Sequence, residues 1–211
     1  GMLGLFTAEK DAFRKCMMKI GADASTNATE ETFRNQFWRE VLSGLGRPTS
    51  GIKRSFFSIR HAWLKDDKGL LPPGTIPDYE GATVTEGMPE SAGEFIKQQL
   101  AKKGQFKLGI LTESQRAIYT TAVPVMFMAH NEVFAEYQRD AGSKRETIKI
   151  GLTDLRDECE KEPWFLPGPD GSHRQKLGEH SATTRCWCIA LDTFPMSQEF
   201  KDKLEDIEGA E

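Results

Sequence analysis

Between Asp66 and Pro89 the chain reads DDKGLLPPGTIPDYEGATVTEGMP, and four prolines and four glycines within these 24 residues exclude a regular helix there. Irregular connections beyond about 12–15 residues are uncommon inside compact domains. The stretch therefore divides the sequence into an N-terminal region 2–66, a loop or linker 67–89 with a short hairpin around Lys68 to Ile76, and a C-terminal region 90–211.

The region before this break carries helical periodicity. Thr7 can cap a first helix with Phe13, Cys16, Met17 and Ile20 on its apolar face, ended by Gly21. After the polar loop ADASTNAT, Asn27 or Thr29 opens a second helix with Phe33, Phe37, Val41 and Leu42 inward, stopped by Gly44 and Gly46. In GIKRSFFSIRHAWLK, Ile52, Phe56, Ile59 and Trp63 fall on one side of a third helix. Arg54, Ser58, His61 and Lys65 then form a stripe on its opposite side, flanked by Lys53 and Arg60. From Val41 to Lys65 there is no Asp or Glu, so this outer face is purely basic.

Beyond the break, Ser91-Ala-Gly-Glu94 and Thr112-Glu-Ser-Gln115 are capping boxes, the first opening a helix to about Lys103. The second opens a long helix from Glu113 to Asp140, with Ile118, Ala122, Val125, Met126, Ala129, Val133 and Tyr137 inward and a kink at Pro124. Phe106 to Ile110 reads as a short strand or turn, RETIKIGL as a short strand, and Thr153 to Cys159 as a brief helix capped by Thr153. Trp164 to Leu166 and Thr183 to Leu191 read as strands flanking a polar Gly/Pro-rich turn, and Ser197 opens a last short helix. The expected fold is α-rich α+β: a helical bundle around the kinked central helix, with a small antiparallel sheet in the C-terminal third.

Cys186-Trp187-Cys188, preceded by His173 and His180, raises the question of a metal or redox site. Strand alternation puts both thiols on one face, but structural zinc sites set paired cysteines two to four residues apart on a knuckle, and no second pair exists. The cysteines therefore read as packing residues, and neither a metal nor another cofactor is implied. His130-Asn-Glu132 lacks the Pro-Cys-x-x-Cys partner of zinc deaminases, and no metalloprotease, serine-hydrolase, Walker or dinucleotide motif is present. Asp154, Asp157 and Glu158 have a sufficient role at a helix terminus.

The net charge is −4, yet it is unevenly spread. Ser197 to Glu211 is strongly acidic, whereas the basic stripe and a second patch at His173, Arg174, Lys176 and Arg185 are positive. The leading expectation is a non-catalytic nucleic-acid-binding or regulatory protein. A helix-turn-helix from Phe33–Leu42 and Ile52–Trp63 would present Lys53, Arg54, Ser58, Arg60, His61 and Lys65, with Arg174 and Lys176 as a further wing. Two alternatives remain: a hydrolase with a pocket built from His130, Glu132, His173 and His180, or an interaction module whose protein partner meets Leu70 to Pro77 or the acidic tail. The longest apolar run, Ala122 to Ala129, is far short of the roughly 20 residues of a membrane span, so no membrane partner is expected. Gly1 ahead of Met2 reads as a remnant of tag removal, and the start GMLGLFTAEKDAF has no secretory pattern, which makes a cytoplasmic location with reduced thiols the expectation.

Overall fold

A computed structural model describes residues 32–45, 47, 49–79, 85–102, 104–144, 150–178 and 181–195. The expected first helix with Cys16, the RETIK part of the strand at 145–149, His180 and the C-terminal helix lie outside these residues. The chain divides into two compact units, 1–38 and 39–211. Of the first, the described part is Thr32 and the opening turns of helix α1 (Phe33–Leu45), where the Thr32 hydroxyl accepts the Asn35 amide at 3.3 Å as an N-cap.

The second unit is built on one antiparallel sheet of seven strands among the described residues: β1 (Phe57–Asp66), β2 (Gly69–Leu70), β3 (Lys107–Ile110), β4 (Val123–Ala129), β5 (Phe165–Leu166), β6 (His173–Lys176) and β7 (Thr183–Ala190). Helices α2 (Ala92–Leu100), α3 (Glu113–Arg116), α4 (His130–Ser143) and α5 (Leu152–Cys159) surround it. The fold is therefore sheet-rich α+β, and the expected α-rich bundle with a small C-terminal sheet is corrected.

Two elements account for that correction. The basic helix expected at Ile52–Trp63 is a 3-10 turn at Arg54–Phe56 followed by β1, so there is no second helix for a helix-turn-helix. The long helix expected from Glu113 is the single-turn α3, a turn, strand β4 and then α4. Ile118, expected inward, is 61% exposed. Both strands had the same disguise. β1 buries Phe57, Ser58 and Ile59 in succession and then Ala62, Trp63 and Leu64, while five consecutive residues of β4 from Val125 are buried. A central strand covered on both faces loses the alternation that marks a half-exposed one, and its apolar residues then match a helical template equally well.

Pro124 sits in β4 without damage. Its carbonyl accepts the Leu191 amide at 2.9 Å, which directs its donorless nitrogen to the same side, beyond the last β4–β7 pair, Val125 with Ala190. The ladder β1–β4–β7 then runs through Phe57↔Met128 to Ala62↔Val123 on one side, and Val125↔Ala190 to Ala129↔Cys186 on the other. Asp66 closes the β1–β2 hairpin by accepting the amides of Lys68 at 2.8 Å and Gly69 at 3.1 Å, and Gly69 takes the positive φ of 132° that a side chain resists. Ile76, within the Pro/Gly segment, is buried in the same core as β1, β4 and β7.

The layers follow from strand alternation. Trp187 and Ile189 point to one face of β7, Cys186 and Cys188 to the other. α4 packs against β4 and β7, with the His130 ring stacked on Trp187 at 5.3 Å, so it covers the first face. Ile96 of α2 joins Cys186, Cys188, Phe127 and Leu166 in the core on the second.

The strand expected over Thr183–Leu191 is β7, and the polar turn before it leads through β6 as a hairpin arm. Ser91 caps α2 by accepting the Glu94 amide at 3.1 Å, and α5 is capped from Gly151, whose amide reaches Asp154, rather than from Thr153.

The start of α2 is pinned to the end of β7 by the Gly93 amide, which donates to the Asp192 carboxylate at 2.7 Å. A Cβ at Gly93 would lie 2.7 Å from the Ala190 Cβ and 2.3 Å from Asp192 Oδ1. Gly93→Ala is therefore expected to lower stability by about 1–3 kcal/mol, the usual cost of overpacking a tight site. Gly142→Ala, in α4 where nothing lies within 4 Å of the added methyl, is expected to leave stability unchanged or raise it by about 0.5–1 kcal/mol. Urea midpoints of the two variants check the contrast.

Candidate functional site

Ala62 pairs with Ile110 of β3 and with Val123 of β4, so β3 lies outside β1; Cys186 pairs with Ala129 of β4 and with His173 of β6, so β6 lies outside β7. In a flat sheet β3 and β6 would stand four strand spacings, roughly 19 Å, apart. Yet Lys107 and Leu108 of β3 line the same cavity as His173, Arg174 and Gln175 of β6. The sheet is thus curled, and the two edges face each other across a cavity of about 610 Å³. Lys65 at the end of β1, Phe106, the loop Pro167–Asp170 and Arg185 of β7 complete the walls relevant to its chemistry.

The charges are one-sided. Among the described residues, Lys65, Lys107, Arg174 and Arg185 share the lining with a single carboxylate, Asp170. Lys107 holds an ion pair with Asp67 at 2.9 Å, and this bond keeps the Asp67 carboxyl below its ordinary range. With the two side chains 59% and 85% exposed, the pair contributes little energy. The side chains of Lys65, Arg174 and Arg185 have no ion pair or hydrogen bond among the described residues.

Among the described residues of the wall, His173 is the one buried polar side chain. Its Nε2 lies 3.1 Å from the Leu166 carbonyl, and because a carbonyl only accepts, Nε2 carries the proton. The ring also stands edge-on to Phe127 at 5.8 Å. Burial pushes its pKa down, leaving the imidazole neutral near pH 7 with Nδ1 as an acceptor. Among the described residues Nδ1 has no hydrogen-bond partner. The loop beside the ring is tight: a Cβ on Gly168 would sit 2.5 Å from the Ser172 backbone and 2.8 Å from the His173 ring. Asp170 holds a φ of 54°, uncommon outside glycine, and Gly171 beside it lies against the Arg156 guanidinium.

The residues expected from the sequence are dispersed. Because β1 has a period of two, Ser58 shares a face with Arg60 while His61 and Lys65 share the opposite one, and the helical stripe is broken. Lys53 and Arg54 are exposed ahead of β1, Ser58 is buried with an unpartnered hydroxyl, and Arg60 and His61 are half-buried. Lys65 and Arg174 reach the cavity; Lys176, exposed at the end of β6, does not line it. The pocket imagined from His130, Glu132 and His173 is not assembled, for His130 stacks on Trp187 while His173 is in register with Cys186, on opposite faces of β7. Lys107 and Phe106 were not singled out in the sequence, since nothing local to β3 announces the opposite edge of the sheet.

Cys186 and Cys188 are fully buried. Burial, with the Glu132 charge adding to it, pushes Cys186 up to about 12, and burial raises Cys188 well above the ordinary thiol range, so both stay protonated. Among the described residues no group of three His, Cys, Asp or Glu is placed to hold a metal ion. No helix among them is long and apolar enough to cross a membrane. A second cavity of about 60 Å³ between α1 and α4 has Glu40, Glu136 and Asp140 on its walls, but Glu136 is paired with Arg139 at 2.8 Å, and Glu40 and Asp140 with Lys144 at 3.2 and 2.9 Å. No protein-family model, curated protein or solved structure matches this chain.

Burial lowers the pKa of both His130 and His173. Between those depressed values and the unfolded value of about 6.5, the unfolded chain binds protons that the native state refuses. Their contribution to stability is full above about pH 6.5 and is lost as the pH falls toward the folded values. Urea midpoints taken at falling pH are expected to decline. His130→Phe, which keeps a flat ring against Trp187 and removes a buried unpartnered nitrogen, is expected to flatten that decline.

Proposed function

We propose that the protein binds nucleic acid as a single strand, in the cavity between the facing sheet edges. The observation that carries this reading is that Lys65, Lys107, Arg174 and Arg185, drawn from both ends of the sheet, line one cavity with a single carboxylate among its described residues. The phosphate chain supplies most of the affinity in such complexes, and it needs cations without protein partners. Phe106 and the Pro167–Gly168–Pro169 wall add aromatic and apolar surface on which a base can rest. At about 610 Å³ the cavity has the dimensions of a small-ligand site. A duplex is read by a convex element entering a groove about 12 Å wide. The segment expected to provide that element is the largely buried strand β1, which leaves a single strand as the form that fits.

Fluorescence anisotropy with labelled single-stranded RNA and DNA at low ionic strength tests the proposal. Neutralising three phosphates predicts that log affinity falls against log salt with a slope of about 2, at roughly 0.7 per phosphate. Arg174→Gln/Arg185→Gln is expected to reduce that slope by about 0.7 for each charge removed. Lys53→Gln/Arg54→Gln, outside the cavity, serves as the comparison. Absence of salt-dependent binding, or equal weakening by the two double variants, would overturn the reading.

A further inference from the structure

We infer that the bound strand bridges the two facing sheet edges, its phosphates divided between a lysine pair on one edge and an arginine pair on the other, and that the site takes no more than about three phosphates. The inference rests on the nucleic-acid reading and specifies the ligand for that same cavity. Its basis is the strand register. Lys65 of β1 is directly opposite Lys107 of β3, and Arg174 of β6 is directly opposite Arg185 of β7. Directly opposed residues project to the same face, and the ladder carries that face from one pair to the other. Lys65 shares it with His61, which is opposite Pro124; Met126, two residues on, is opposite Ile189, and Ile189 shares its face with Arg185. All four cations therefore belong to one face of the sheet, whereas His173, opposite Cys186, belongs to the other.

Like charges directly opposite in a ladder destabilise it, whereas opposite charges in the same positions are favourable. Charge on an edge strand also deters pairing with a second chain, but a lysine facing a glutamate serves that end as well as two cations do. A chain of net charge −4 has carboxylates in excess, yet it sets cation against cation at both edges, and both pairs line one cavity. Asp67 offsets the lysine pair through its bond to Lys107 at 2.9 Å, while the side chains of Arg174 and Arg185 have no ion pair or hydrogen bond among the described residues. A phosphate has the charge to offset either pair, and a guanidinium can meet it with two parallel hydrogen bonds. The arginine pair is thus the stronger subsite and the one a lone phosphate takes. The lysine pair is reached by a ligand long enough to cross the cavity. A sphere of about 610 Å³ is roughly 10 Å across, and a strand carries one phosphate per roughly 3.4 Å in a duplex and fewer when extended, which sets the limit near three.

The experiment titrates the full chain at low ionic strength with thymidine 5′-monophosphate and with 5′-phosphorylated oligothymidylates carrying three and six phosphates, read by calorimetry. Engaging both subsites with one ligand is expected to raise affinity at least about tenfold from one phosphate to three. From three to six only the small statistical gain of extra registers is expected. Lys65→Gln is expected to weaken the three-phosphate ligand and leave the monophosphate as it is, whereas Arg185→Gln weakens both. In the free protein at low salt, Arg174→Gln is expected to raise the urea midpoint, and Arg174→Glu, which sets a carboxylate opposite Arg185, to raise it further while abolishing binding. Position 174 is exposed, so folding is not at stake in either variant. Equal affinity for one and three phosphates, an equally steep climb from three to six, equal weakening of both ligands by Lys65→Gln, or a midpoint that rises in neither variant at position 174 overturns this inference and leaves the binding proposal standing. A chain that binds no single strand overturns both.

Discussion

The β1–β4–β7 ladder carries the rest of the second unit, because each of its strands is needed on both sides. β4 satisfies its backbone groups against β1 in one direction and β7 in the other. Its side chains are buried toward both faces, with Val125 and Phe127 on the α2 side and Met126 and Met128 toward α4. A backbone amide enclosed in this way must be paired inside the protein, so the register is set by hydrogen bonding and by apolar burial at the same residues. Shifting β4 by one residue would exchange those two sets between faces. The helices are secondary to this: α4 starts on the residue after β4 ends, and α2 is tied to the residues that follow β7.

The cavity is a consequence of the same ladder. Twist and curl in the sheet bring β3 and β6, bonded to opposite ends of it, to face each other. Edge strands carry charge in many proteins because charge discourages pairing with a second chain. Here Lys107 of β3 and Arg174 of β6 occupy such positions, and with Arg185 of β7 they line the one cavity. The Lys97 ammonium donates to the Glu160 carbonyl at 2.7 Å and to that of Glu162, which secures α2 to the chain entering β5 and so steadies the cavity wall. His173, held by the Leu166 carbonyl, is a buried residue of the same wall.

Much of the element order was legible locally. Ser91 and Thr112 caps, the short β3, the α5 helix, and the strands β5 and β7 follow from capping residues and turn chemistry that act over a few positions, whereas β6 lies within what reads as the polar turn between those strands. The basic patches were legible as well, because an absence of Asp and Glu from Val41 to Lys65 is a property of composition. What failed was the conformation of the two most buried segments. Ile52, Phe56, Ile59 and Trp63, and likewise Val125, Met126, Ala129 and Val133, satisfy a helical spacing only because nearly every position around them is apolar too. Periodicity discriminates when one face is wet; with both faces covered it carries no information.

By itself, then, the sequence determined where the chain turns, where helices are capped, and that positive charge clusters before Asp66 and again around Arg174. Those are short-range properties. Only the tertiary structure decided that FSIRHAWLKD and VPVMFMA are neighbouring strands, and that Lys65 and Arg185, 120 positions apart, line one cavity. The reason is physical: strand pairing, burial on two faces and sheet curl are settled by contacts with segments distant in sequence, and the tautomer of His173 is settled by a carbonyl seven residues away that only the folded loop brings to it.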